Sequence, residues 1–412
     1  MRRLACRVAL VCLVGVVLAC QEEPPTTRAR VAKRPGASAA PQASRAPQAS
    51  AVPATSPAPS NAAPASTGTT AAPSSVPSTA ATTAGVSSSG GGSLPAAGAD
   101  LQLVRAPQQA DTWVVLPSLR RPRAGLAAGV LGDFVLVSDG EPRATNEALS
   151  LDEAGAQGWG LATVGGAASG VSLAAFASTG SQLVMAGGSS AGEFIPVTRL
   201  DELEQAGSAP PELYLPDPLR AAAGAWSEAT GELLVFGGET YNGLKAGVQR
   251  VRLAPKGVTQ GAGTAEPFAG AAAALVGPQA WVVGGYTRLQ PGGPVQALST
   301  VRRYDVAANT WRISGDGQPG DLPELPAPRH SAALVASGGK LWLLGGAGAD
   351  GRPVAEVLRL DPAAAAPAWE VVTSLPTPRA LLAAVAFGTR IMAIGGVGVA
   401  GQPLATVEVY QP

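Results

Sequence analysis

Between Phe134 and Gly396 a short apolar run ends six times in a glycine-containing turn. The runs are FVLVSDG (Phe134 to Gly140), LVMAGG (Leu183 to Gly188), LLVFGG (Leu233 to Gly238), WVVGG (Trp281 to Gly285), LWLLGG (Leu341 to Gly346) and IMAIGG (Ile391 to Gly396). Their last glycines fall at 140, 188, 238, 285, 346 and 396, so the steps are 48, 50, 47, 61 and 50 residues. A repeat of this length with a strand-then-glycine core indicates the blades of a β-propeller. It describes how the chain is built and does not name what the chain binds.

Each unit opens with small apolar residues, as in GLAAGVL (Gly125 to Leu131), AGAAAALV (Ala269 to Val276) and ALLAAVAF (Ala380 to Phe387). Strands near a propeller axis converge, so Ala, Gly and Ser suit an innermost strand. Turn residues just after these runs, such as Gly388-Thr389, favour a hairpin over the helix that Ala alone would suggest. The glycine-terminated run is the second strand, and its paired glycines permit positive φ and close backbone approach. A third, alternating strand follows, as in STVRRYD (Ser299 to Asp305), AEVLRLD (Ala355 to Asp361) and ATVEVYQ (Ala405 to Gln411). A fourth carries Trp311, Trp369 or, more loosely, Trp159.

YDVAANTWRI (Tyr304 to Ile313), LPAPRHSAAL (Leu325 to Leu334) and LWLLGG together resemble the kelch repeat, with its Tyr-Asp, Asn-Thr-Trp, Pro-Arg and Gly-Gly elements. The resemblance extends over about residues 111–412, and the first three units are degenerate. The chain stops after a third strand at Val409-Tyr410-Gln411-Pro412, and the folded part begins with a fourth, Asp111-Thr112-Trp113. Joined, they complete one unit. The expected fold is therefore an all-β, six-bladed kelch-type β-propeller whose last blade is closed by the N-terminal strand, about 111–117. Such closure pairs two edges that would otherwise stay open.

Residues 1–19 read as a signal peptide. Arg2, Arg3 and Arg7 give a positive start, and Val8 to Ala19 is an apolar run too short to span a bilayer. Val17-Leu18-Ala19-Cys20 resembles a bacterial lipobox, which implies cleavage before Cys20 and its lipidation. Gln21 carries no Asp-type inner-membrane signal, so an outer-membrane lipoprotein of the cell envelope is expected. Residues 20–100 form a linker of Ala, Pro, Ser and Thr that cannot bury enough apolar surface to fold. As a flexible coil it would span roughly 50 Å, and fully extended about 250 Å. Residues 101–412 are the propeller.

Formal net charge is zero, and Arg (25) far outnumbers Lys (4) without a basic stripe, so no nucleic-acid partner is expected. The three cysteines are Cys6, Cys12 and Cys20, so the propeller has no thiolate metal site. His330 is the only histidine, which argues against a multi-histidine metal centre and a Ser-His-Asp triad. It is expected as a surface residue leading into a strand. No cofactor, no metal and no catalytic residue is assigned.

Seventeen or eighteen residues before the final glycines lie Arg123, Arg220, Arg329 and Arg379, while Val171 and Phe268 take that place in units two and four. In kelch propellers such arginines often line the central pocket. The resemblance implies a partly cationic mouth for a carboxylate or acidic sugar. The competing reading is that each arginine pairs with a neighbouring blade or stacks on a ring. Glu141 and Glu239, just after glycine turns, are carboxylates near the mouth, and Tyr286 to Leu298 and Ser314 to Leu325 are long loops there. The expected function is a non-catalytic binding or scaffolding module for a protein or glycan, tethered to a membrane through Cys20. The alternative is a metal-independent sugar-acid mutarotase or epimerase.

Overall fold

The computed structural model describes residues 110–142, 146–151, 158–162, 171–191, 193–195, 197–202, 213–318 and 320–412. The signal peptide, Cys20, the linker and residues 101–109 lie outside the described residues. The described chain forms six four-stranded antiparallel sheets in a propeller arrangement. The innermost strands are Ala127–Leu131, Ala175–Ser178, Ala223–Ser227, Ala272–Val276, Ala333–Ser337 and Ala383–Phe387. Each packs beside the next in that order, and the last packs beside the first. Alanine dominates them because the strands crowd toward one axis. A Cβ on Gly224 would meet the backbone of Phe176 in the neighbouring sheet.

The sixth sheet is assembled from both chain ends. Thr112–Leu116 pairs antiparallel with Val407–Gln411, with Trp113 opposite Tyr410 and Leu116 opposite Val407. The Trp113 ring stacks on Tyr410 at 5.1 Å, and the Tyr410 hydroxyl donates to Asp111 at 2.9 Å. The N-terminal strand is thus the fourth strand that the C-terminal repeat lacks.

Two closed circuits of hydrogen bonds hold the sheets in register. In the first, the amides of Gly125, Leu173, Ala221, Gly270, Ser331 and Leu381 each donate to the carbonyl of the preceding member, and Gly125 donates to Leu381. The N···O distances are 2.7 to 2.9 Å. All six residues have φ between 53° and 62°. In the second circuit, the last residue of each glycine turn donates to the next sheet. Gly140 donates to Val171, Gly188 to Leu219, Gly238 to Phe268, Gly285 to Arg329, Gly346 to Arg379, and Gly396 to Arg123. This approach explains the paired glycines. A Cβ on Gly395 would stand 2.8 Å from the Arg123 carbonyl, and the clash is worse at Gly187, Gly237, Gly284 and Gly345.

The apolar core lies between neighbouring sheets. Val135, Leu149 and Val137 of the first, for example, pack with Met392, Ile394 and Val409 of the sixth. At the rim, tryptophan indoles tie fourth strands together. Trp159 donates to the Pro117 carbonyl at 3.0 Å, Trp311 to Ala262 at 2.8 Å and Trp369 to Pro323 at 3.1 Å, while Trp113 reaches the Thr373 hydroxyl at 3.2 Å. The tryptophans therefore serve inter-sheet packing.

Candidate functional site

Loops between second and third strands share one end of the propeller, the mouth, with links from fourth to first strands. The predicted arginines converge here and then part. Arg123 and Arg379 are fully buried and Arg329 is 3 % exposed. Each pairs with a carboxylate on the third strand of its own sheet: Arg123 with Glu147, Arg329 with Glu356, and Arg379 with Glu408 at 2.8 Å. Burial pushes the pKa of all three guanidiniums down, and the paired carboxylates pull it back up. Arg123 also donates to the Asp139 carbonyl at 3.2 Å, and Arg379 to the Gly395 carbonyl at 3.2 Å. Both acceptors occupy the first position of a glycine turn. These three arginines close their sheets from inside. The cationic mouth expected from all four narrows accordingly, because these three guanidiniums are turned into their own sheets and engaged by carboxylates there.

The fourth sheet reaches the same end with its residues exchanged. Phe268 takes the arginine place, and Arg302 stands across from Val282, as Glu147 does from Val137 and Glu408 from Ala393. Arg302 packs over the Phe268 ring at 4.2 Å and donates to the Gly284 carbonyl at 3.1 Å. Burial lowers its pKa to about 10. A guanidinium thus caps the glycine-turn carbonyl in the first, fourth and sixth sheets, arriving from either of two strands.

Arg220 behaves differently because it sits one residue later. It bridges to Glu239, as Ala124 does to Glu141 and His330 to Ala347, whereas Arg123 precedes that position. Successive side chains of an extended segment point to opposite sides. The one-residue offset turns Arg220 away from the sheet interior and into the mouth. There its guanidinium lies 3.3 Å from Glu239 and over the Phe194 ring at 4.9 Å. Glu239 also has Arg288 at 3.4 Å and accepts from the Tyr286 hydroxyl at 3.2 Å. Burial, with Glu239 beside it, raises the Tyr286 pKa well above its ordinary value. Arg288 packs over the Tyr286 ring at 5.2 Å and donates to the Gly293 carbonyl. Glu141, the other predicted carboxylate, accepts from the Ser172 hydroxyl at 3.2 Å.

His330 is buried, not at the surface as expected. Its position matches that of Arg220, and its ring meets Tyr286 edge to face at 5.7 Å while Nδ1 lies 3.0 Å from the Ser331 hydroxyl. Burial, aided by the charge of Arg288, holds its pKa down at about 4.

Beside Glu239 opens a crevice of about 320 Å³ between the mouth loops of the third and fourth sheets. Phe194, Tyr241, Asn242, Arg288 and Gln290 line it. Phe194 and Tyr241 stack at 4.1 Å with a 15° tilt, and the Tyr241 hydroxyl donates to Glu193 while accepting from the Phe194 amide. Sequence reading missed Phe194, Tyr241 and Arg288. Their loops have no periodicity; the available signals were their location after glycine turns and, for Arg288, the length of the loop Tyr286 to Leu298.

The chain is thus an all-β propeller in which three third strands carry carboxylates for lead-in arginines. The Kelch motif family model matches residues 267–316 and 378–412, which cover most of the fourth and sixth sheets. The fold is a kelch-type β-propeller. The solved structure of YjhT aligns with a TM-score of 0.54 at 14% identity, over 71% of this chain and 95% of that one, a likeness of fold alone. No curated protein matches the chain.

Replacing Arg379 with Met leaves Glu408 charged and buried, and should cost about 3–5 kcal/mol in urea unfolding. Arg379→Met combined with Glu408→Leu should recover most of that loss. A double variant as unstable as the single one would refute the pairing role. For His330, the folded pKa lies below the ordinary 6.5. The unfolded chain then binds the extra proton, so stability is full above about 6.5 and declines as pH falls toward 4. The sole histidine C2 proton resonance should titrate near 4 in the folded chain, and a midpoint near 6.5 would contradict its burial.

Proposed function

We propose that this chain is a six-bladed kelch propeller acting as a non-catalytic binding module for a protein or glycan at the cell envelope. The observation that carries this reading is the mouth crevice, a preformed hollow with a stacked aromatic pair and polar side chains. Binding sites generally combine such apolar walls with a few oriented polar groups. The sugar-acid mutarotase reading needs a carboxylate free to take a proton. Glu239, the carboxylate best placed for it, is already engaged by Arg220, Arg288 and Tyr286, which favours binding over turnover.

We also propose that residues 1–19 direct export and that lipidated Cys20 anchors the chain to the outer membrane through the 20–100 linker. The N-terminal strand of the sixth sheet starts with Thr112 opposite Gln411 and runs toward the mouth. The first described strand thus enters the propeller at the end opposite the crevice.

Three experiments test these readings. A thermal-shift screen of the full chain with acidic sugars, neutral glycans and peptidoglycan fragments should find a compound that raises the melting temperature by several degrees. A ligand at 100 times its Kd contributes about 2.7 kcal/mol. Anomeric interconversion of the same sugars, followed by NMR, should match the uncatalysed rate, and acceleration would replace the binding reading with the enzymatic one. Separately, Cys20→Ser should abolish incorporation of labelled fatty acid and move the protein out of the membrane fraction. Retention on membranes without label would remove the anchor.

A further inference from the structure

We propose that the crevice between the mouth loops of the third and fourth sheets binds a saccharide that carries a carboxylate. This rests on the binding reading above and names its ligand class. No innermost strand lines the crevice, so the site is separate from the axial channel.

The aromatic platform is the first argument. Tyr241 is 61 % exposed yet held at both ends, its ring by Phe194 and its hydroxyl by Glu193 and the Phe194 amide. A fixed, exposed ring offers an apolar face with little ordering left to do on binding. The C–H face of a sugar ring matches it. Asn242 and Gln290 line the same crevice with amide donors and acceptors suited to sugar hydroxyls.

Charge is the second argument. Two guanidiniums, Arg220 and Arg288, share the single carboxylate of Glu239, which leaves one positive charge in excess. Arg288 lines the crevice with its side chain 9 % exposed, and Arg220, on the other side of Glu239, is 27 % exposed. His330 packs behind Tyr286 and is held neutral near pH 7, so it does not alter that balance. Glu193 is exposed, and water screens it. An incoming carboxylate would restore a one-to-one pairing with the two guanidiniums, which have unused N–H donors.

Calorimetric titration of the full chain in detergent with three probes tests this: digalacturonate, its methyl ester, and neutral digalactose. Digalacturonate should bind at least about tenfold more tightly than the ester or the neutral sugar, the scale of one charge-assisted contact. Arg288→Gln should erase that preference. Tyr241→Ala should weaken acid and ester alike, and its exposure keeps the fold intact, as an unchanged melting curve would verify. Equal affinity for acid and ester, or no binding of any probe, would overturn the proposal. So would digalacturonate binding unaffected by Tyr241→Ala. If another glycan or a peptidoglycan fragment from the screen binds and neither substitution weakens it, the crevice proposal falls while the binding reading stands. Catalysed anomerisation would instead remove the binding reading itself.

Discussion

The circuit of six backbone hydrogen bonds through Gly125, Leu173, Ala221, Gly270, Ser331 and Leu381 is the constraint on which the rest of the structure depends. Innermost strands of a propeller have no fifth strand beside them, so their lead-in amides and carbonyls need partners elsewhere. Turning each lead-in residue left-handed points its amide at the preceding sheet. For a residue with a Cβ that conformation costs about 1–2 kcal/mol. Leu173, Ala221, Ser331 and Leu381 all accept it. The cost is tolerable because the circuit satisfies six donors and six acceptors at once, and it does so only when every member is present. Opening one sheet breaks two links. The closure of the sixth sheet by Thr112–Leu116 therefore supports the whole ring, not only its own sheet.

That circuit also determines where a ligand can go. At the mouth end the lead-in residues leave a space of about 90 Å³ on the axis, while the wider channel of about 590 Å³ is lined by the innermost strands and reaches the hairpins at the opposite end. The axis at the mouth end is thus ringed by the backbone of the lead-in residues. Side chains with chemistry to offer are displaced outward, onto the loops that follow the glycine turns. Glu239, Tyr286 and Arg288 occupy such loops in adjacent sheets and meet there.

What was legible in the sequence is what sterics repeats in every sheet. Alanine in the innermost strands, glycine where a neighbouring carbonyl approaches, and the missing strand at the C-terminus all follow from close backbone contacts that a side chain cannot enter. The roles of the arginines were less legible because they depend on parity. Arg220 lies eighteen residues before its final glycine and the others seventeen, and that single residue reverses the direction of the side chain. Their carboxylate partners lie 24 to 29 residues away on the third strand, so no local motif joins them. In the fourth sheet the guanidinium has moved to the partner strand altogether. A reader of single positions sees Phe268 as a loss of pattern, whereas the fold preserves the interaction through Arg302.

This exchange explains how the repeats can degenerate while the ring stays uniform. In the first, fourth and sixth sheets a guanidinium meets the glycine-turn carbonyl, arriving from the lead-in segment in two of them and from the third strand in the other. In the third sheet Gln249 occupies the third-strand place and exchanges hydrogen bonds with the Asp217 backbone, so the arginine place passes to Leu219 and Arg220 becomes free to face the mouth. The same relief applies at Tyr286. A Cβ at Gly270 would collide with the Tyr286 ring, so the left-handed glycine of the circuit makes room for the ring that supports Arg288 and meets His330. The polar cluster at the crevice is thus built from places where the structural pattern has been released, and those releases fall in neighbouring sheets. Their adjacency, more than any one residue, converts a uniform ring into a molecule with a distinct side.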